Sequence, residues 1–252
     1  MTRIDLNSDM GELPEASADG TQEALLRSIT SANVACGGHA GDERTMRTTI
    51  EQAMRAGVAV GAHPGYPDRE NFGRLELKIS PADIANSIYE QVRALAEVAA
   101  KCGTKLVHVK PHGALYNQAV KNRELAEAIA KGVAKFSKSL VLMGLAESPM
   151  LDVFREAGFA VAAEAFADRL YEPDGTLRSR KFDDALIRDP AEAAKQAVSI
   201  AQRGIVIAHD GTEVKLAAQT ICIHGDTPGS VQIAAAVART LRAADIATAA
   251  LH

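Results

Sequence analysis

This chain has no tryptophan, and aromatic residues make up only 4% of it. Hydrophobic residues still reach 47%, so its core must be built from Ala, Val, Ile and Leu. Cysteine is scarce too: Cys36, Cys102 and Cys222 are far apart and odd in number. They form no CxxC pair and no disulfide framework, which points to a reducing compartment. Neither GxxxxGK[ST] nor GxGxxG occurs, so both common phosphate-cradling loops are missing. No stretch reaches the roughly 18 apolar residues of a membrane span. The start, Met1-Thr2-Arg3-Ile4-Asp5, lacks the apolar run of a signal peptide. The net charge is −4 with no run of five like charges, so no basic stripe offers itself to nucleic acid. The expectation is a cytoplasmic protein without a membrane or nucleic-acid partner.

What the chain does have is a regular alternation of apolar runs and helical patterns. Strands are expected near 3–8, 32–36, 58–62, 105–110, 140–144, 159–164, 205–208 and 220–224. Several lack polar/apolar alternation, as strands buried on both faces do. Ser80-Pro81-Ala82-Asp83 reads as a capped helix start with Pro at the first position. Ile84, Ile88, Val92, Leu95 and Val98 then recur at helical spacing, and Gly103 ends the pattern. Asp189-Pro190-Ala191-Glu192 opens another helix, closed by Gly204, and Thr227-Pro228 opens the last. Alternating β and α elements imply a parallel sheet with right-handed crossovers. Seven or eight units suit a closed barrel better than an open doubly wound sheet. With no linker, repeat or low-complexity tract, residues 1–252 are expected to form one domain. Residues 64–79 and 168–189 fit no period and follow strand ends, so they are expected to wall or lid a site.

The apolar runs end in polar motifs that hold five of the seven histidines. In a β/α barrel, strand C-termini share one face, so motifs remote in sequence meet there. Asp5, Asn7 and Asp9 lie two apart and share a strand face, with Glu12 following Gly11. The Gly37-Gly38-His39-Ala40-Gly41-Asp42 stretch joins a strand to a helix. Asp42 is a plausible N-cap, and Gly37 and Gly38 would let backbone N–H groups approach an anion. His63 precedes Pro64. Lys110, at a strand end, can bind an anion or pair with Glu164 or Asp168, and His112 follows Pro111. His108 lies mid-strand and can simply be buried. Arg169 can clamp a carboxylate or pair with Asp168. His224 ends the last run, and Asp226 or Thr227 then caps a helix. One carboxylate and two histidines form a common hydrolytic metal set. Asp9, His39 and His63 can supply it, which keeps open a metal-dependent amidase that needs no ATP.

Together these motifs resemble the lactam-utilisation family. The matching segments are Asp5-Leu6-Asn7-Ser8-Asp9-Met10-Gly11-Glu12, Ala32 to Asp42, Gly61 to Asp68, Val109 to Asn117, Glu164 to Arg169, and His224 to Gly229. They span almost the whole chain in the family's order. One departure is Gly38, where the family commonly has Phe, which would enlarge the pocket. The resemblance implies an irregular seven-stranded, TIM-like β/α barrel similar to that of polysaccharide deacetylases. It also implies ATP-dependent opening of 5-oxo-L-proline to L-glutamate, together with two partner subunits. On that chemistry, Lys110 and Arg169 supply positive charge. Asp9 acts with His39, His63 or His112 as acid and base, and His224 joins them. Asn7, Gly37, Gly38, Glu164, Asp168, Arg169 and Asp226 surround the substrate. A non-catalytic chain that only binds the lactam is the other alternative.

Overall fold

The computed structural model describes residues 2–251. Eleven elements come first: β1 (Arg3–Met10), α1 (Pro14–Ala18), α2 (Thr21–Leu26), β2 (Ser31–Ala35), α3 (Glu43–Ala56), β3 (Ala59–His63), α4 (Pro81–Lys101), β4 (His108–Val109), α5 (Gly113–Ala119), α6 (Arg123–Phe136) and β5 (Val141–Leu145). They continue with α7 (Pro149–Glu156), β6 (Val161–Phe166), α8 (Pro190–Arg203), β7 (Ile205–Ile207), β8 (Glu213–Lys215), β9 (Thr220–Cys222), α9 (Ser230–Ala243) and β10 (Ala247–Thr248). Strands β1, β2, β3, β4, β5, β6 and β9 pair in parallel in that order, and β9 returns to β1. The result is a closed seven-stranded barrel with helices outside it.

The register follows from short crossovers that bury one face of each helix. In α4, Ile84, Ile88, Val92, Leu95 and Val98 are all buried, each worth about 1.5–3 kcal/mol relative to exposure. Ser80 caps this helix, its hydroxyl accepting from Asp83 N–H. Asp189 caps α8 in the same way, and Gly204 ends it in the left-handed conformation. No helix among the described residues is long and apolar enough to cross a membrane.

Two expectations shift. The run near 205–208 is a strand, but it lies outside the barrel. It forms an antiparallel hairpin with Glu213–Lys215 through the Asp210-Gly211 turn, the dipeptide that favours tight reversals. The last helix starts at Ser230 with Gly229 at its N-cap, so neither Asp226 nor Thr227 caps it.

The barrel interior is polar. Asp5 accepts from Thr30 and Ser31 on one oxygen and from Thr220 on the other. Asn7 donates to Glu164 at 3.0 Å and Thr220 at 2.7 Å. Asn33 donates to Asn7 and Asp9 at 2.7 and 2.8 Å, and its own carbonyl accepts from His108 Nε2–H at 2.8 Å. Asp5, Asn7, Asn33, His108 and Glu164 are all buried, so each bond replaces hydration lost on folding. Gly61 makes room for this layer, since a Cβ there would collide with the His108 ring. Burial, aided by the charge of Lys110, pushes the His108 imidazole down to about 3.

His108 is therefore neutral in the fold but titrates near 6.5 once unfolded. Unfolding takes up a proton below that value, so stability present above pH 6.5 is lost as the pH falls toward 3. A His108→Gln variant avoids this loss. Its stability deficit relative to the parent should shrink by about 2 kcal/mol between pH 7 and pH 5 in urea unfolding. A deficit independent of pH contradicts the neutral assignment.

Candidate active site

Six strand ends deliver chemically active side chains to one rim. Glu12 follows β1, His39 follows β2, His63 closes β3, and Lys110 and His112 follow β4. Asp168 and Arg169 follow β6, and His224 follows β9. Most of them line a cavity of about 750 Å³, together with Asp9, Tyr116 and Phe166, while His39 and Asp168 are buried behind that lining. The loops 64–79 and 167–189 wall it, contributing Arg74, Leu75 and Glu76 from one and Thr176 to Lys181 from the other.

At the floor, Lys110 Nζ lies 2.9 Å from Asp9 Oδ1, 3.0 Å from Glu164 Oε1 and 3.1 Å from Cys222 Sγ. Burial opposes its charge, yet Asp9, Cys222 and Glu164 hold it well above its ordinary range. The same pairing works on Asp9: burial would raise it, but His63 and Lys110 keep it well below the usual carboxylate range. Lys110 is thus a fixed cation and not a base. The expected alternative pairing of Lys110 with Asp168 is absent from this arrangement.

Asp168 instead serves His224. Its Oδ1 is 3.0 Å from His224 Nδ1, while Oδ2 accepts from the His224 N–H and from Thr227 Oγ1. Burial would raise this carboxyl, but His224 and Thr227 bring it below its ordinary value. Phe166 stacks on the imidazole at 5.3 Å. With Nδ1–H donated to Asp168, Nε2 is the nitrogen left for chemistry. Ligating atoms of Asp9, Cys222 and His224 lie within 4.8 Å of one another.

A second cluster joins Glu12, His39, His63 and His112. His63 Nδ1 donates to the Lys110 carbonyl at 2.8 Å, and His112 Nε2 donates to the Phe72 carbonyl at 2.9 Å. Carbonyls only accept, so the lone pairs of neutral His63 and His112 sit on their inward nitrogens. Those nitrogens are 3.0 Å apart, and Glu12 Oε1 is 3.2 Å from His112 Nδ1 and 3.6 Å from His63 Nε2. Three acceptors converge and require a cation among them. A proton on His63 meets this need: burial resists it, but Asp9 and Glu12 raise the imidazole above its usual value. A divalent metal meets it as well. Ligands bound at about 2.1 Å in tetrahedral or octahedral sets lie roughly 3.0–3.4 Å apart, close to these spacings. Both histidines already have the backbone carbonyl partner that metal-binding imidazoles use.

His39 differs. Its Nε2 faces Glu12 at 2.9 Å, its ring stacks on His112 at 3.6 Å, and its buried Nδ1 has no partner. If Nε2 bound a metal, Nδ1 would carry a buried proton with no acceptor, at about 1–3 kcal/mol. Burial pushes His39 down to about 4, so it stays neutral and donates to Glu12. Of the expected metal set, His39 and His63 stand in one cluster with Glu12 and His112, and Asp9 Oδ2 lies 3.4 Å from His63. Glu12, His63 and His112 are the three whose inward atoms converge most closely.

The remaining expected residues divide. Asn7 and Glu164 lie beneath the floor, bonded to each other and each in contact with Lys110 Nζ. Arg169 lines the cavity, and its guanidinium donates to the Ala185 and Arg178 carbonyls. Asp226 pairs with Arg74 and Arg180 at the mouth. Gly37 and Gly38 stand outside the cavity lining. The Gly37 N–H is taken by the Ala40 carbonyl, and the Gly37 and Gly41 carbonyls face Arg69. This turn presents acceptors and not an anion cradle. Gly38 makes room for the Gln91 amide, which bonds both backbone groups of Gly65, so the missing side chain does not enlarge the cavity. Tyr116, Phe166, Arg74 and Arg180 were not expected. Tyr116 lies in the matching Val109 to Asn117 segment, whereas the two arginines sit in unpatterned loops.

Fold and site define a β/α barrel with an acid–base cluster at the C-terminal rim of its strands. The LamB/YcsF family profile matches residues 4–252, and the chain belongs to that family. It is 53% identical to the 5-oxoprolinase A subunit of Chloroflexus aggregans over 98% of each chain. It is 46% identical to the same-named protein of Pyrococcus abyssi over 95% of this chain and 94% of the other. The lactam utilization protein of Thermus thermophilus superposes with a TM-score of 0.92 at 40% identity, covering 99% and 100% of the two chains. A family 4 carbohydrate esterase from Streptomyces lividans shares the fold alone, with a TM-score of 0.55 at 13% identity over 100% of this chain and 93% of the other.

The metal assignment is tested with Co²⁺, whose visible absorption reports its ligands without any turnover. His63→Ala and His112→Ala should each abolish the bound-Co²⁺ spectrum, while His39→Gln keeps it with affinity reduced about 10–100-fold. Loss of the spectrum in His39→Gln with retention in His112→Ala contradicts this set.

Proposed function

We propose that this chain is one component of an ATP-dependent 5-oxoprolinase in which the lactam of 5-oxo-L-proline is opened to L-glutamate, acting with two partner subunits. The observation that carries the reading is the pairing, in one cavity, of the Asp9–Lys110 ion pair with the Asp168–His224 dyad. The likeness over nearly the whole chain to proteins named as the A subunit of 5-oxoprolinase supports the choice of substrate.

A five-membered lactam is a resonance-stabilised amide that water attacks slowly. Phosphorylation of its carbonyl oxygen by ATP makes the ring carbon electrophilic. Water adding to that carbon gives an intermediate with two groups that can depart. Loss of phosphate regenerates the lactam. Departure of the ring nitrogen opens the ring to a γ-acyl phosphate, and a second water hydrolyses it to glutamate and phosphate. The productive branch requires a proton on the nitrogen.

His224 Nε2 delivers that proton, with Asp168 fixing the tautomer and stabilising the imidazolium. Asp9, close beside it, accepts a hydrogen bond from the attacking water and orients it. Lys110 stabilises the oxygen charge that develops on addition. Arg169 holds the substrate carboxylate. Glu12, His63 and His112 would hold a divalent metal, which supplies Lewis-acid polarisation when bound. That set gives the ATP-independent amidase its one specific support.

The partition of the intermediate yields a sharp test. In the reconstituted enzyme, His224→Asn should lower glutamate formation about 10²–10⁴-fold while 5-oxoproline-dependent ATP cleavage continues, so that the two become uncoupled. Equal loss of both, or near-normal glutamate formation, overturns the role of His224. Lys110→Met leaves Asp9 and Glu164 buried without their cation, at about 3–5 kcal/mol. It is therefore paired with Glu164→Gln, and this double variant should fold but not turn over.

A further inference from the structure

Lys110 carries the positive charge of the cavity floor but has no hydrogen bond to spare. An ammonium offers three N–H groups. Those of Lys110 point to Asp9 Oδ1 at 2.9 Å, Glu164 Oε1 at 3.0 Å and Cys222 Sγ at 3.1 Å. Asn7 Oδ1 is a fourth acceptor at 3.4 Å. An oxygen that gains charge above the floor therefore feels the field of Lys110 but receives no hydrogen bond from it. Stabilising such an oxygen calls for a donor aimed beforehand at the place where the charge forms.

The spare donor stands on the next helix. Tyr116, on α5, lines the cavity and is 4% exposed. Its hydroxyl is buried and has no hydrogen-bond partner among the described residues. The Glu164 carboxylate lies near it, but Glu164 Oε2 is likewise without a partner. Burial first, and then Glu164, hold the phenol well above its ordinary range, so it keeps its proton. A buried hydroxyl left unpaired works against folding, and a ligand that supplies the acceptor recovers the loss. Packing fixes the ring. Tyr116 meets the edge of Phe166 at 90°, with centroids 6.1 Å apart. The same Phe166 ring stacks on His224 at 5.3 Å, and Lys110 Nζ lies 5.3 Å from its centroid. Cation, imidazole and phenol are thus all placed against one aromatic ring of the cavity wall.

We infer that the Tyr116 hydroxyl donates a hydrogen bond to the oxygen on the electrophilic carbon of a lactam, supplying the directed bond where Lys110 supplies the charge. The phenol keeps its proton throughout, and the bond strengthens as that oxygen becomes more negative. An analogue with the same ring and carboxylate but no carbonyl oxygen leaves the hydroxyl unpaired, so the site selects against it. The inference rests on the reading that this cavity acts on a lactam, and it holds with or without ATP.

Tyr116→Phe removes the hydroxyl alone. In the free chain its urea midpoint should equal or exceed that of the parent, because no bond is lost. A lower midpoint would place the hydroxyl in a structural bond to Glu164 and overturn the inference. In the reconstituted complex the variant should lower kcat for glutamate formation about 10²–10³-fold, with a smaller change in KM. A near-normal kcat leaves the assigned reaction standing and removes Tyr116 from it. A reading independent of turnover uses the full chain with 3-fluorotyrosine at its four tyrosines. The fluorine resonance missing from Tyr116→Phe belongs to Tyr116. It should move on addition of 5-oxoproline and stay in place with cyclopentanecarboxylate, which lacks the carbonyl oxygen. No movement with 5-oxoproline, or equal movement with both compounds, overturns the contact. If the resonance moves with the lactam alone while the complete complex forms no glutamate, the contact stands and the assigned reaction falls.

Discussion

One buried ammonium organises this molecule. Lys110 Nζ sits within 3.0 Å of carboxylate oxygens from two strands of the barrel, Asp9 on β1 and Glu164 on β6. Without it, two carboxylates would lie close together in a low-dielectric interior, which proteins avoid by protonation or unfolding. With it, Asn7, Asn33, His108 and Thr220 complete a hydrogen-bonded layer across the barrel. The same contact fixes Asp9 in its ionised form at the cavity floor. A cost of folding and a requirement of the proposed chemistry are thus met by one ion pair.

Above that layer the site divides into parts with distinct electrostatics. The Asp168–His224 dyad leaves one imidazole nitrogen for proton transfer. The Glu12–His63–His112 cluster presents acceptors in want of a cation. At the mouth Arg74 and Arg180 share Asp226, and Arg169 is held by two backbone carbonyls. The walls that carry the arginines are loops, while the acid–base groups stand on strand ends, so the groups needing the most exact placement rest on the stiffest elements.

Much of this was legible in the sequence, for identifiable reasons. The period of Ile84, Ile88, Val92, Leu95 and Val98, and the caps Ser80 and Asp189, are local signals, and they survived because packing agreed with them. The strand ends at Asp9, His63, Lys110 and His224 were marked by polar residues breaking apolar runs. What failed depended on partners. Residues 205–208 do form a strand, but the Asp210-Gly211 reversal gives it a hairpin partner in place of a barrel neighbour. Thr227 looks like a cap, yet its hydroxyl is taken by Asp168 across the chain. His39 and His63 look alike in sequence, and only the acceptor beyond each far nitrogen separates a ligand from a support. Arg74 and Arg180 lie in loops without period, where no local rule marks the residue that faces inward.

The most direct measurement is glutamate release from 5-oxoproline by the purified chain, with and without ATP, and with and without two candidate partner subunits. The account predicts release only when ATP and all three chains are present. Release by this chain alone, without ATP and dependent on a divalent metal, would contradict it and establish a metal-assisted amidase.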